Sequence, residues 1–195
     1  NKAITLDGNG YTLTSSAARA INVTGADGVT IKDLTIVATG ERAINVIGGA
    51  TNVTIEGVTA TAANYAVNVA ATAANAVVTI TDSNLTGLCV VNVAAENADV
   101  TVEGTTLTCN DTNEAENYAA LTLNVDAKDA TITATGCTFD IKGDSVKATV
   151  VAEGGSITID GTTDGVEQSV AVIKYANGTA YTFSSLAGAV EYAKA

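Results

Sequence analysis

The sequence of 195 residues contains no histidine and only three cysteines, which form no C-x-x-C pair. The usual zinc sites need histidine or paired cysteine ligands, and thiol–imidazole catalysis needs an imidazole as its base. The residue counts exclude both kinds of chemistry, so any function has to proceed without histidine. We expect neither a metal centre nor a cofactor.

Large aromatic side chains are scarce, with no tryptophan, two phenylalanines and six tyrosines. The apolar share is nevertheless 47%, and it consists almost entirely of Ala, Val, Ile and Leu. A chain of this length is expected to bury roughly 70% of its unfolded surface around one core. Small and β-branched side chains favour a core of narrow, regularly stacked layers.

Positive charge is also scarce, because nine basic residues stand against 21 acidic ones and give a formal net charge of −12. No basic patch is available to neutralise a phosphate backbone, so nucleic acid is not an expected partner. No apolar run reaches membrane-spanning length, and we expect no signal peptide within these residues. The chain lacks methionine, so we expect a mature product or a piece of a longer one. Its richness in Thr, Asn, Gly and Ala favours a secreted or cell-surface protein.

An internal repeat is the clearest feature that the sequence does have. The pattern V-T-I-x-[DG] recurs as ITLDG at Ile4, VTIKD at Val29, VTIEG at Val53, VTITD at Val78, VTVEG at Val100, ITATG at Ile132 and ITIDG at Ile157. The steps between copies are 25, 24, 25, 22, 32 and 25 residues. Apolar and polar residues alternate at period two, which indicates a strand with one buried and one wet face.

Two further short segments run in phase with this pattern. One is INV at Ile21 and Ile44, VNV at Val67 and Val91, and LNV at Leu123, with central residues Asn22, Asn45, Asn68, Asn92 and Asn124 expected on the wet face. The other is YTL at Tyr11, LTI at Leu34, VTA at Val58, TTL at Thr105 and CTF at Cys137. Each repeat therefore holds three short strands between turns rich in Gly, Asn and Asp.

Strands that repeat in this way suit successive turns of a parallel coil, each stacked about 4.8 Å from the next. Seven coils would make a rod roughly 34 Å long. A β-sandwich is the alternative source of many short strands. Its Greek-key order would scatter the in-phase Asn and Thr columns, so the parallel β-helix is favoured.

The segments AITLDGNGYTLT and GVTIKDLTI resemble the coils of right-handed, pectate-lyase-like β-helix domains of secreted and surface proteins. The resemblance covers about residues 1–165. It implies an all-β, single-stranded right-handed parallel β-helix of about seven coils, and the handedness also agrees with the chirality of parallel crossovers. It is a resemblance of fold and carries little about activity.

The period ends before the C-terminus, and residues 166–195 are predicted to form a separate unit. VAVIKYANGTAYTF predicts a hairpin around an Asn-Gly turn, and SSLAGAVEYAKA predicts a short amphipathic helix. This unit is expected to cap the β-helix or to open a following module, with four assembly residues: Tyr181, Phe183, Leu186 and Val190. We expect the hairpin and helix of one module to cover the N-terminal coil of the next, which would give an open head-to-tail array.

Two columns of outward-facing residues on the V-T-I strands are candidates for a functional surface. The first runs through Asp7, Lys32, Glu56, Thr81, Glu103, Thr135 and Asp160. Clustered carboxylates beside a basic residue are what a calcium-dependent lyase needs, but alternating signs indicate surface ion pairs. The second column is made of threonine and suggests ice binding as a function. Its members are Thr5, Thr30, Thr54, Thr79, Thr101, Thr133 and Thr158. A regular array would need a second threonine column two residues on, and here that column is mostly charged.

Arg19 and Arg42 occupy equivalent positions one repeat apart, and Tyr65 and Cys89 continue the same column. Paired arginines can receive a sugar carboxylate or a phosphate. The alternative is a solvated turn in which Glu41 neutralises Arg42.

The 32-residue step contains an insertion, CNDTNEAENYA, from Cys109 to Ala119. Its Asp111, Glu114 and Glu116 are candidates for a weak calcium or binding site, or form a tolerated acidic loop. Cys89 and Cys109 lie near one coil apart, so a disulfide between adjacent coils is possible in an oxidising compartment.

Together these features predict a non-enzymatic extracellular β-helix module that acts as a structural or adhesive spacer and associates with itself. A polysaccharide-binding module or degenerate lyase that uses Arg19, Arg42 and Tyr65 is the alternative, with a glycan as its partner.

Overall fold

The computed structural model describes residues 2–110, 118–143, 145–169, 171–174, 180–183, 190 and 192–194. They form an all-β parallel solenoid of about six turns, built from three sheets that run along its axis. The predicted parallel β-helix is confirmed, with about six turns in place of seven coils. Parallel pairing throughout these three sheets excludes the sandwich.

Each sheet collects one strand from successive turns. Sheet A contains β1 (Ile4–Asp7), β4 (Val29–Lys32), β7 (Val53–Glu56), β10 (Val77–Thr81), β13 (Asp99–Glu103), β16 (Thr131–Thr135) and β19 (Ser156–Ile159). Sheet B contains β2 (Thr12–Ser15), β5 (Thr35–Ala38), β8 (Thr59–Ala62), β11 (Asn84–Gly87), β14 (Thr106–Cys109) and β17 (Thr138–Ile141). Sheet C contains β3 (Arg19–Thr24), β6 (Arg42–Ile47), β9 (Tyr65–Val69), β12 (Cys89–Val93), β15 (Ala119–Leu123), β18 (Val146–Val150) and β20 (Val166–Gln168).

The register of sheet A follows the sequence repeat. Ile4 pairs with Val29, and the same column continues through Val53, Val78, Val100, Ile132 and Ile157. Within β4, Val29 and Ile31 are buried while Thr30 between them is partly exposed. The period-two alternation therefore predicts both the strand and its inward face correctly.

A tight corner joins sheet A to sheet B in five successive turns, from β4 to β17. The residue just after the sheet A strand adopts a positive φ at these corners, at Asp33, Gly57, Asp82, Gly104 and Gly136. Gly and Asp tolerate this left-handed conformation better than most residues do. The Asp-or-Gly position of the repeat is therefore a requirement of the backbone at the corner.

The core consists of stacked aliphatic layers, as the composition predicts. Its largest fully buried side chains are Ile, Leu and Val, and alanines fill the narrower positions. Each layer touches its equivalents in the neighbouring turns, so the chain buries one continuous column of small side chains.

The asparagine column departs from the expected pattern. Asn22, in the first turn, is exposed as expected, but Asn45, Asn68 and Asn92 are only 1%, 4% and 5% exposed. The side-chain N–H group of each of these three residues donates to the side-chain oxygen of the asparagine one turn earlier, at 2.9, 2.7 and 2.8 Å. The expectation of a wet column is wrong for these three residues, because hydrogen bonds along the column satisfy the buried amides.

The column also ends earlier than the sequence predicts. Asn92 pairs with Thr122 rather than with Asn124, which follows β15 and accepts a hydrogen bond from the backbone N–H of Val125 at 2.7 Å. The Thr122 hydroxyl oxygen is buried without a hydrogen-bond partner. Asn124 is therefore not a member of the ladder, because β15 is shifted by two residues relative to the LNV motif.

Beyond the solenoid, β21 (Ala171–Lys174) and β22 (Ala180–Phe183) pair as the predicted antiparallel hairpin. Residues 190 and 192–194 are helical, and the Val190 side chain is 43% exposed. The backbones of Tyr181 and Phe183 lie in β22, whereas Leu186 lies outside the described residues. In the described part of the chain, no helix has the length and apolarity that a membrane crossing requires.

Candidate functional site

Arg19, Arg42, Tyr65 and Cys89 form one column at the corner where the chain passes from sheet B into sheet C. Each residue begins a sheet C strand, and the backbone register pairs Arg19 with Arg42, Arg42 with Tyr65 and Tyr65 with Cys89. The sequence prediction that these four residues share a column is confirmed by this register.

Bifurcated backbone hydrogen bonds fix this corner. The carbonyl of Ala18 accepts from the amides of both Glu41 and Arg42, and the carbonyl of Glu41 accepts from those of Asn64 and Tyr65. The distances lie between 2.9 and 3.2 Å. Two consecutive amides thus bind one carbonyl of the previous turn, which holds the starts of β6 and β9 in place.

The Arg42 side chain lies against its neighbour in the column. Its guanidinium carbon is 5.3 Å from the centroid of the Tyr65 ring, which is cation–π distance. Arg42 Nη2 lies 3.9 Å from Glu41 Oε2, and the buried Arg42 Nε has no hydrogen-bond partner. The Glu41 contact predicted from the sequence therefore exists, but it is long and leaves one donor of the guanidinium unused.

Arg19 presents a second guanidinium at the adjacent position of the column and is exposed. No ion pair among the described residues involves Arg19. Like charges directly opposite each other on adjacent strands are unfavourable. The corner therefore carries two neighbouring positive charges and one weakly placed carboxylate.

Tyr65 and Cys89 complete the column. Tyr65 is half-buried, and burial raises the pKa of its phenol, an effect that Cys89 adds to and Arg42 opposes. A phenol whose pKa is raised by burial keeps its proton at physiological pH. Tyr65 therefore serves as a neutral platform for Arg42.

The three cysteines form no disulfide, so the Cys89–Cys109 bridge is absent from this structure. Cys109 is in register with Gly87 in sheet B, whereas Cys89 is in register with Tyr65 in sheet C. The buried Cys109 thiol donates to the carbonyl of Leu88 at 2.8 Å. The two cysteines therefore belong to different columns, separated by the corner. The third cysteine, Cys137, is partly buried, and burial raises the pKa of its thiol.

The insertion after β14 bears the other candidate binding residues. Asp111, Glu114 and Glu116 lie outside the described residues. Near the two ends of the insertion, Cys109 and Tyr118 are described, and they are buried and half-buried respectively. Within the described residues, no group of three or more His, Cys, Asp or Glu side chains is arranged to hold a metal ion.

The charged outward column of sheet A behaves as surface ion pairing. Lys32 Nζ lies 3.1 Å from Asp7 Oδ2 and 3.7 Å from Asp33 Oδ2. The backbone N–H of Asn9 donates to Asp7 at 2.9 Å and, with Lys32, holds the pKa of that carboxyl below its usual value. Asp7 likewise raises the pKa of Lys32. These contacts neutralise charge at the surface. Among the described residues they do not bring carboxylates together as ligands of a metal ion.

The N-terminal end of the solenoid exposes its core. Ile4 and Leu6 of β1 are 58% and 42% exposed, although they continue the columns of Val29 and Ile31, which are 4% and 1% exposed. Together with Ile21 they line an apolar depression of about 270 Å³. This end presents a concave apolar surface between β1 and β3, the edge strands of sheets A and C.

The chain matches no protein family model, and comparison with curated proteins and with solved structures finds no significant match. The parallel β-solenoid therefore rests on the structure itself.

Proposed function

We propose that this chain is a non-enzymatic structural module of a secreted or cell-surface protein, and that its β-helix stacks end to end with another copy or module of the same kind. The pectate-lyase-like character of the coils belongs to the same proposal and is supported by the segments quoted above. The extracellular location is supported by composition alone. Length and rigidity would be the properties that such a module contributes.

The open N-terminal end carries this proposal. Ile4 and Leu6 place large aliphatic side chains in water at the end of columns that are otherwise almost fully buried. Burial of one such side chain contributes about 1.5–3 kcal/mol. The outer edges of β1, β2 and β3 also offer backbone groups that a further parallel coil can pair with.

The two ends of the solenoid differ, which favours a head-to-tail contact. In the last turn Ile157 and Ile159 are 1% and 8% exposed, so the same two columns stay covered at that end. Backbone hydrogen bonds between Ile159 and Thr162 pair the last residue of β19 with the segment that follows it. An open end that meets a covered end gives a heterologous contact, and such contacts produce linear arrays.

The test measures self-association of the isolated chain by small-angle scattering and sedimentation over a rising concentration series. We expect particles that lengthen along one axis, and we expect the double variant Ile4→Asp/Leu6→Asp to remain monomeric. Val77→Asp is the matched control, because Val77 is 42% exposed, as Leu6 is, but lies in an internal turn. A wild-type chain that stays compact and monomeric at high concentration would contradict the proposal.

Glycan binding at the corner column is a second candidate, supported by the two adjacent guanidinium groups of Arg19 and Arg42. The cation–π contact with Tyr65 fixes the orientation of the Arg42 side chain, which remains 22% exposed and can receive the carboxylate of an acidic sugar. This candidate includes a degenerate polysaccharide lyase that has kept binding without catalysis.

An array of neutral and acidic glycans tests this candidate. We expect saturable binding of uronate-containing glycans that Arg42→Ala weakens. Lys128→Ala is the control, because it removes the same charge from an exposed residue outside the column. Binding that Lys128→Ala weakens to the same extent would assign the effect to net charge and reject the corner as the site.

A further inference from the structure

The outer face of sheet B carries two neighbouring columns of residues, most of them threonine, in addition to the single threonine column of sheet A. The strands of sheet B contribute the outward pairs Thr12 and Thr14, Thr35 and Val37, Thr59 and Thr61, Asn84 and Thr86, Thr106 and Thr108, and Thr138 and Asp140. Nine of these twelve positions are threonine. The residues between them, such as Ile36, Leu85 and Leu107, are buried in the core.

The two columns are in register along the whole sheet. Thr12 pairs with Thr35, Thr35 with Thr59, Thr59 with Asn84, Asn84 with Thr106, and Thr106 with Thr138, and the second column follows the same register. Neighbours in one column are therefore about 4.8 Å apart, and the two columns are separated by about 6.6 Å along the strand. The outward side chains therefore form a regular two-dimensional array, which is the kind of surface that a crystal lattice of water can match.

The face is accessible, and the described part of the chain leaves its hydroxyls unbonded. None of the twelve residues is buried. No hydrogen bond within the described residues uses a threonine hydroxyl of this face, whereas the hydroxyls of Thr51, Thr72 and Thr131 elsewhere do bond. Each hydroxyl therefore offers one donor and two acceptor positions to water.

The chemistry of this face favours ordered water. Asp140, on the edge strand β17, bears the only charge among the twelve positions. Threonine has a stiff χ1, so a stacked column holds its hydroxyls and methyl groups at repeated positions with little loss of side-chain entropy. Methyl groups between the hydroxyls restrict the orientations open to adjacent water. Many weak contacts then form together on one rigid surface.

Sheet A provides a contrast within the same molecule. Its single column from Thr5 to Thr158 is equally regular, but the neighbouring column contains Asp7, Lys32, Glu56 and Glu103. Charged side chains order water around themselves and interrupt a lattice. Sheet A therefore has no two-column threonine array, whereas sheet B has one.

We propose that the outer face of sheet B binds the surface of ice crystals through its two threonine columns. The ligand is ordered water at the protein surface, continuous with the ice lattice. This function goes beyond that of a structural spacer and uses a face separate from both the open end and the arginine corner.

The test measures thermal hysteresis and partitioning into a slowly growing ice hemisphere for the purified chain. We expect hysteresis that rises with protein concentration and enrichment of the protein in the ice fraction. Thr61→Tyr and Thr86→Tyr each place a bulky ring in the middle of the sheet B array, and we expect most of both signals to be lost. Thr79→Tyr makes the same change in the middle of sheet A and should leave both signals unchanged.

Circular dichroism and thermal melts establish that each variant is folded before its ice activity is compared. Absence of both hysteresis and ice partitioning in the wild-type chain would overturn the proposal. Equal loss in Thr61→Tyr and Thr79→Tyr would also overturn it, because the effect would then not belong to sheet B. Adsorption of the wild-type chain to cellulose without hysteresis would assign the face to a polysaccharide and reject ice.

Discussion

At the scale of single residues, the asparagine ladder shows how a polar side chain becomes part of the core. Asn68 donates to Asn45 and accepts from Asn92, so both functional atoms of its amide are satisfied although the residue is 4% exposed. An unsatisfied buried amide would be costly, and the ladder avoids this cost only if its members remain in register. The ladder therefore fixes the alignment of neighbouring turns as well as stabilising them.

Asn68→Ala should destabilise the fold strongly, because it leaves the Asn92 donor and the Asn45 acceptor without their partners. Two unsatisfied buried groups give an expected loss of about 3 kcal/mol, measured by denaturant unfolding. Asn84→Ala, at an exposed position, should change stability by less than about 0.5 kcal/mol. Similar losses in both variants would argue against the ladder as a stabilising element.

The carboxyl of Asp7 gives a prediction about ionisation. Its pKa lies below the usual value of about 3.9 because the Asn9 amide and Lys32 favour the charged form. The stabilisation from this shift is present above about pH 3.9 and is lost as the pH falls through the lowered pKa. Lys32→Gln should raise the pKa of Asp7 only part of the way, since the Asn9 hydrogen bond remains. Carboxyl ¹³C titration measures this, and a full return to the usual value would show that Lys32 acts alone.

At the scale of elements, the corners determine which residues the repeat must contain. The corner before sheet C is so close to the previous turn that a Cβ on Gly40 would lie 2.0 Å from the carbonyl oxygen of Ala17. Gly87, at the equivalent place two turns later, would bring a Cβ within 2.7 Å of the Asn64 carbonyl oxygen. Glycine is therefore a steric requirement two positions before Arg42 and two positions before Cys89.

Gly40→Ala should cost about 3 kcal/mol, because backbone atoms rather than a flexible side chain occupy the space of the new methyl group. Gly49→Ala is the matched control, since it has a φ of +75° and no atom within 4 Å of the added Cβ. Its expected cost is only the conformational penalty of about 1 kcal/mol. Equilibrium unfolding of both variants tests the difference, and equal costs would mean that the corner can open to admit a side chain.

The strands were predictable from the sequence, but the surroundings of their outer faces were not. Alternation at period two places Val29 and Ile31 inside, and the repeat gives the register of sheet A directly. The same pattern gives no information on burial of the opposite face, so Asn45 was expected in water. Nor did LNV at Leu123 reveal that Thr122 takes the ladder position. The sequence contains the T-x-T pairs of sheet B, for example TLT at Thr12 and TAT at Thr59. Only the register of the strands in the structure shows that these pairs stack into an array.

At the scale of the whole molecule, the solenoid is a one-dimensional stack in which each turn contacts only its neighbours. The first turn has a neighbour on one side only, and it leaves Ile4 and Leu6 exposed. Local stability should therefore rise from the N-terminal turn towards the middle of the stack.

Hydrogen exchange detected by mass spectrometry should show this gradient in the isolated chain at low concentration. Amides of β1 and β2 should exchange faster than those of β7 and β10, because opening the first turn breaks contacts on one side only. At concentrations where end-to-end stacking forms, protection of β1 should increase while that of β10 stays constant. Uniform protection along the stack would contradict this description.

The register of the corner column makes the turns interchangeable units of length. Removing residues 43–65 would join Arg42 directly to Ala66, and the junction would read Arg-Ala-Val-Asn-Val in place of Arg-Ala-Ile-Asn-Val. Each side chain at the junction would keep its column, and the stack would shorten by one spacing of about 4.8 Å. Duplication or deletion of whole turns therefore changes the reach of the molecule in fixed increments. The number of sites on each face changes by the same step, so one genetic event would set both the length of the solenoid and the area of its threonine array.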